Sequence, residues 1–187
     1  MDNEILQSIV QMTGQHDLDS LECSLAATLA ELVPAQRISL HKLLKDGDLD
    51  QIEGVVQLFI DMESKNETNF EWNHEQKIIK ANEYIIQCLE GLKPVSYKNQ
   101  GLIYLHMPII SSNKIIGVLS IESKQELSEF ETLIDGFTKI YGNYLYILDE
   151  SERDKLTGLF NRRTFDNKLR RLLKMQSEKQ KEIPVSK

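Results

Sequence analysis

Two apolar runs, LIYLHMPII and KIIGVLSIE within residues 102–122, are separated only by Ser-Ser-Asn. A connection that short permits only antiparallel pairing, because a parallel return needs a crossover of a dozen or more residues. Both runs are rich in β-branched residues and apolar over most of their length, which places this hairpin in the middle of a sheet. Whatever else the chain does, it must build an antiparallel sheet around these residues.

A second hairpin is written upstream. RISLHKLL alternates through Ile38, Leu40 and Leu44, and QIEGVVQLFID alternates through Ile52, Gly54, Val56, Leu58 and Ile60. Between them KDGDLD holds Asp46-Gly47, a strong turn signal. The remaining apolar patterns have a helical period. EILQSIVQM opens the chain, and in LDSLECSLAATLAELV the residues Leu18, Leu21, Leu25, Leu29 and Leu32 recur every three or four positions. Asp17 is placed to cap that helix, and Pro34 to end it.

MESKNETNFEWN has no periodicity and reads as a surface loop. Asn73 and Gln76 then form a capping arrangement for a third helix, whose stripe runs through Ile78, Ile79, Asn82, Ile85, Ile86 and Leu89 to Gly91 and Pro94. A short extended PVSY leads into the central hairpin. Last comes ELSEFETLIDGFTKIYGNYLYILDE, where Phe130, Leu133 or Ile134, Phe137, Ile140 or Tyr141, Tyr144, and Ile147 or Leu148 follow a heptad spacing. A 3.5-residue period suits a two-helix seam. The expected architecture is α+β: a central antiparallel sheet of five to six strands flanked by helices, with a long C-terminal helix.

With 41% apolar and 27% charged residues in 187, the composition is that of a soluble globular domain plus an appendage. No run is apolar and uncharged for the 18 or more residues of a membrane helix, and MDNEILQSIV carries acids where an export signal carries basic residues, so a cytoplasmic protein with no membrane partner is expected. Cys23 and Cys88 stand alone and read as reduced thiols rather than a disulfide or zinc pair. The net charge of −7 divides into −13 for residues 1–150 and +6 for residues 151–187. An acidic body disfavours nucleic acid as a partner, and the basic end reads as a solvated tail.

Several stretches imitate chemistry. DGDLDQIEGVVQ begins like a calcium loop but has Gln51 and Gln57 where Gly and Glu belong. HEQKI has Ile78 where a second zinc-binding His would stand. His16, His41, His74 and His106 are scattered, with no nucleophile beside them. No catalytic or metal residue is expected in this chain. The most suggestive side chain is His106, which shares a strand face with Tyr104 while Ile103, Leu105, Met107 and Ile109 take the other. A mixed face of that kind fits either a structural His or the floor of a small-molecule pocket. Trp72, Tyr84 and Cys88, from the loop and helix that could cover that face, are candidates for the same pocket, whose ligand the sequence does not name.

From residue 102 to 150 the strand ending near Pro108, the IGVL strand and the Phe-spaced helix resemble the C-terminal half of a GAF domain, and the earlier elements extend the likeness over about residues 15–150. A PAS domain is the main rival, but it usually places several short helices between its second and third strands and lacks a long helix before the first. DKLTGLFNRRTF is similar to the D-x-L-T-G-L-x-N-R-R-x-F opening of GGDEF domains, matched at Asp154, Leu156, Thr157, Gly158, Leu159, Asn161, Arg162, Arg163 and Phe165. The two resemblances together imply an N-terminal helix at 1–15, a GAF-like sensor at 16–125, a signalling and dimerisation helix at 126–153, and the start of a GGDEF domain at 154–187.

On that reading the chain is the regulatory region of a diguanylate cyclase, the enzyme class that joins two GTP into cyclic di-GMP. The alternative is a ligand-free structural dimerisation module. The family's metal-binding Asp, its GG[DE]EF loop and its guanine-reading residues lie beyond the first helix of that domain, so Mg²⁺ and GTP are expected only of an intact cyclase. Asp154, Leu156, Thr157, Gly158, Asn161 and Arg162 would form the turn between helix and cyclase. Phe130, Leu133, Phe137, Ile140, Tyr144 and Leu148 would form the seam of a homodimer. The apolar residues after Arg163, Phe165 first among them, are expected to lack the cyclase sheet they would normally pack against.

Overall fold

The computed structural model describes residues 2–14, 18–45, 48–61, 69–73 and 78–152, with Thr157, Leu159 and Phe165. It forms two compact units, residues 1–145 and 146–187. The first begins with helices α1 (Asp2–Thr13) and α2 (Leu18–Leu32), then strands β1 (Arg37–Lys45), β2 (Asp48–Asp61), β3 (Asn69–Asn73) and β4 (Ile78–Lys80). Helix α3 (Glu83–Gly91) precedes β5 (Val95–Asn99), β6 (Leu102–Ser111) and β7 (Lys114–Ser123), and a single 3-10 turn, Ser128–Phe130, leads into α4 (Glu131–Glu152). Of the second unit, the end of α4 and the exposed residues Thr157, Leu159 and Phe165 are described.

The expected α+β sheet is present, entirely antiparallel, in the order β3-β2-β1-β7-β6-β5, with β4 also on β2. Both hairpins are there, β1 with β2 and β6 with β7. The seven strands exceed the five to six expected because two short ones hide in segments of other appearance. Residues 69–73, read as loop, pair with Gln57–Asp61. Ile78–Lys80, read as the first turn of the third helix, pair with Gln51–Glu53. The edge of β2 offers unmet backbone hydrogen bonds, and two β-branched isoleucines answer it more readily than they start a helix.

The helix starts later for the same reason. Its N-cap is Asn82, whose Oδ1 accepts from Ile85 N at 2.9 Å, and Asn73 ends β3. At the other end Gly91 is the last helical residue, and the left-handed cap is Leu92, at φ 51°. The caps expected at Asp17 and Gln76 and the Asp46-Gly47 turn lie outside the described residues.

Strand alternation divides the sheet into two faces. Ile38, Leu40, Val56, Leu58, Leu105, Met107, Leu119 and Ile121 pack on α2 and α4 through Leu21, Leu25, Leu29, Ile134, Phe137 and Tyr141. The other face packs on α3, where Ile85, Cys88 and Leu89 meet Ile52 and Val118. Each fully buried side chain of this size contributes on the order of 2 kcal/mol.

The larger core also holds a charge. Glu22 of α2, 2% exposed, is paired with Lys42 of β1 and accepts a hydrogen bond from Tyr141 Oη of α4 at 3.0 Å. A buried carboxylate is costly unless it is paired and hydrogen-bonded, and here an ammonium and a phenol both reach its Oε1. Burial, and then the neighbouring Glu22, hold the Tyr141 phenol well above its usual range, so it stays a donor.

Helix α4 lies close on β6. Ser111 Oγ donates to the Gly142 carbonyl at 2.7 Å, and a Cβ at residue 142 would collide with the Ile110 carbonyl oxygen. Gly142→Ala must therefore push the helix away from the strand. We expect it to lower the unfolding free energy by about 1–3 kcal/mol in a urea titration, and an unchanged midpoint would contradict so close a contact.

Candidate ligand site beneath helix α3

The face that β6 turns toward α3 carries Tyr104 and His106, while Ile103, Leu105, Met107 and Ile109 enter the larger core, as the period-two pattern requires. Four of the five side chains singled out from the sequence come together there. Cys88 Sγ donates to the His106 carbonyl at 3.3 Å. Tyr84 stacks on Tyr97, centroids 3.7 Å apart at 13°, and Tyr97 stacks on Tyr104 at 4.9 Å and 8°. The His106 ring tilts against Tyr97 at 5.6 Å.

Trp72 is the exception. It stands in β3 opposite Leu58, and a directly paired residue shares its partner's face, so its ring packs against the larger core. A residue taken for a loop had no parity to assign, and the strand supplied it.

Sequence reasoning missed four residues of this cluster. Ser120 Oγ shares a hydrogen bond of 2.8 Å with His106 Nδ1. Ser39 stands opposite Ser120 in the ladder, His41 lies two residues further along β1, and Tyr97 pairs with Tyr104. The signal was available, for Ser39 and His41 alternate with Ile38 and Leu40, the pattern that marked His106. Both imidazoles are buried, and His41 Nδ1 and His106 Nε2 find no hydrogen-bond partner among the described residues.

Burial pulls the pKa of His41 from 6.5 down to about 4, and burial together with the nearby His41 does the same to His106, so both rings are neutral at pH 7. Burial pushes the Cys88 thiol up to about 12, against a backbone hydrogen bond involving Val95. Burial raises Tyr97 as well, aided by Tyr104, Tyr84 and Glu122 and opposed by a hydrogen bond with Asn82. Neutral imidazoles, a protonated thiol and stacked phenols offer hydrogen bonds and ring faces. Among the described residues no three His, Cys, Asp or Glu side chains converge as metal ligands would, and no helix is long and apolar enough to cross a membrane.

Neither a family model nor a curated protein matches the sequence, but solved structures match the fold. The GAF domain of a phosphoenolpyruvate-protein phosphotransferase from Coxiella burnetii is similar at TM-score 0.61 and 14% identity, over 80% of this chain and 94% of that one. The nlh2 GAF domain of A. aeolicus, in an inactive state, gives 0.57 and 12% over 79% and 96%. Residues 122 to 287 of a methyl-accepting chemotaxis protein give 0.59 and 12% over 79% and 99%. The chain has the GAF fold.

Within this GAF fold the expected seam residues divide. Phe137 is buried in its own core beside Ile134 and Tyr141, so it is not available to a partner helix. Phe130, Leu133, Ile140 and Tyr144 are partly buried at the edge of that core. Leu133 and Ile140 also line an apolar groove of about 410 Å³ that Ile5 and Ile9 of α1 close from the other side. Of the turn residues, Thr157 is exposed and its Oγ1 accepts from Leu159 N at 3.4 Å. The side chain of Leu148, and Asp154, Leu156, Gly158, Asn161 and Arg162, lie outside the described residues.

The two histidines set a pH dependence. Their folded pKa lies below the unfolded 6.5, so the unfolded chain takes up protons first as the pH falls. Their contribution is complete above pH 6.5 and is lost toward pH 4, by up to about 3 kcal/mol each. Urea denaturation across that range should show a shallower loss for His106→Gln than for the unsubstituted protein. Parallel curves would mean that His106 is protonated as easily folded as unfolded.

Proposed function

We propose that this GAF fold is the regulatory sensor region of a diguanylate cyclase, acting as a homodimer through the C-terminal helix, with residues 126–153 as the signalling helix and 154–187 as the start of a GGDEF domain. The observation that carries the reading is the course of α4, which leaves the GAF core and runs as one helix to Glu152, two residues before DKLTGLFNRR. Two cyclase domains must face each other to join two GTP. A paired helix whose packing responds to a bound small molecule gives the sensor control over that encounter.

The alternative, a ligand-free dimerisation module, is favoured by one feature. The stacked rings of Tyr84, Tyr97 and Tyr104 occupy the space between α3 and strands β5 and β6 where a ligand would be sought. A thermal-shift screen with nucleotides and haem separates the two, since a sensor gains stability from its ligand by mass action and a structural module does not.

Two further outcomes are expected. The reading frame beyond Lys187 should encode a GG[DE]EF loop, and the 187-residue chain incubated with GTP and Mg²⁺ should form no cyclic di-GMP. Light scattering should give a dimer, and Ile147→Asp should shift it toward monomer without lowering protomer stability, because Ile147 is 60% exposed. A monomer at high micromolar concentration would sink the signalling model.

A further inference from the structure

At the end of the sheet where α3 terminates, a second apolar cavity of about 630 Å³ opens between Leu43, Leu49, Leu92, Ile110 and Ile115, with Lys114 and Asn113 also in its lining. Its size falls in the range of small-molecule sites, which combine an apolar lining with a few polar groups.

Two backbone irregularities deliver side chains to it. In the pairing of β6 with β7, Ile109 faces Gly117 and Ile110 faces Ile115, so Ile116 is an extra residue. Uninterrupted alternation from Val118 would send Ile116 to the α3 face and Ile115 to the larger core. The bulge reverses them: Ile116 packs in the larger core, and Ile115 joins the α3 side and the cavity. Bulges re-aim side chains in this way beside binding sites.

The second irregularity is Leu92, which caps α3 at φ 51°. Left-handed backbone costs a residue with a Cβ roughly 1 kcal/mol and usually falls to Gly, and Gly91 stands immediately before it. The strained Leu is also 51% exposed, so its own burial does not repay the conformation. Ile110 is 38% exposed at the same place. Large aliphatic side chains are thus held at the cavity by a bulge and a strained cap.

We propose that this cavity binds an aliphatic monocarboxylate, its chain laid against Leu43, Leu92, Ile110 and Ile115 and its carboxylate at Lys114. The apolar lining is branched aliphatic without an aromatic ring, which suits a flexible hydrocarbon better than a planar heterocycle, and the lysine in the lining favours an anionic head. The site is separate from the Tyr and His cluster and does not rest on the cyclase reading.

Sodium octanoate titrated into the 187-residue protein, with isothermal calorimetry and backbone amide shifts as readouts, tests this. Saturable binding is expected, with shifts centred on residues 92, 110 and 113–115. Lys114→Gln should weaken octanoate about fivefold, toward the affinity of octanol. Leu92→Gly, which relieves the left-handed strain and so keeps the fold, should weaken it more than tenfold while the melting temperature holds or rises. No saturable binding at millimolar octanoate, equal binding of octanol and octylammonium, or full affinity in both variants would each overturn the assignment. A missing GG[DE]EF loop would leave it untouched.

Discussion

The pairing of Arg37–Lys42 with Gly117–Glu122 holds the two halves of the molecule together. Each hairpin is local and closes with little chain entropy, but β1 and β7 are separated by most of the domain and must find each other across it. Sequence has tuned this ladder at both ends. At one, Arg37 reaches Glu122 at 3.0 Å and lays its guanidinium over the Phe59 ring at 4.6 Å. At the other, a Cβ on Gly117 would strike the His41 carbonyl oxygen, so glycine alone lets the strands approach. The two faces of the sheet, and therefore both cores, exist only once this register is set.

The same six residues of β1 distribute polarity between the faces. Lys42 turns to the larger core and meets Glu22, which in turn holds Tyr141 of α4, while Ser39 and His41 turn to the α3 side. The first arrangement ties three separate elements into one geometry. The second is left partly open, with buried ring nitrogens on His41 and His106. Satisfied buried polar groups specify a unique packing, whereas an unpaired one costs free energy in the same low-dielectric surroundings.

The sheet and its alternation were legible in the sequence because a period of two survives any tertiary context that buries one face. That is why Tyr104, His106, Tyr84 and Cys88 could be brought together from pattern alone. What escaped was decided by long-range pairing. Ile78 and Ile79 fit a helical stripe with Ile85 and Leu89, and only the open edge of β2 makes them a strand. Trp72 lacked a face until Leu58 was known to stand opposite it. The GGDEF-like turn was the sharpest signal in the chain and falls largely outside the described residues, whereas the residues that shape the second cavity, Leu92 and Ile115, carry no motif at all. They depend on a bulge and a strained cap, and neither has a spacing to read.

Helix α4 shows why a heptad pattern can serve two masters. A straight α-helix drifts by about 20° per heptad against a strict 3.5-residue repeat, so one apolar stripe cannot face the same neighbour along its whole length. Near its start the stripe faces inward, with Ile134, Phe137 and Tyr141 at most 2% exposed. One to two turns later Tyr146 is 43% and Ile147 60% exposed. Inward-facing Ile134, Phe137 and Tyr141 and outward-facing Ile147 are thus successive parts of one heptad pattern.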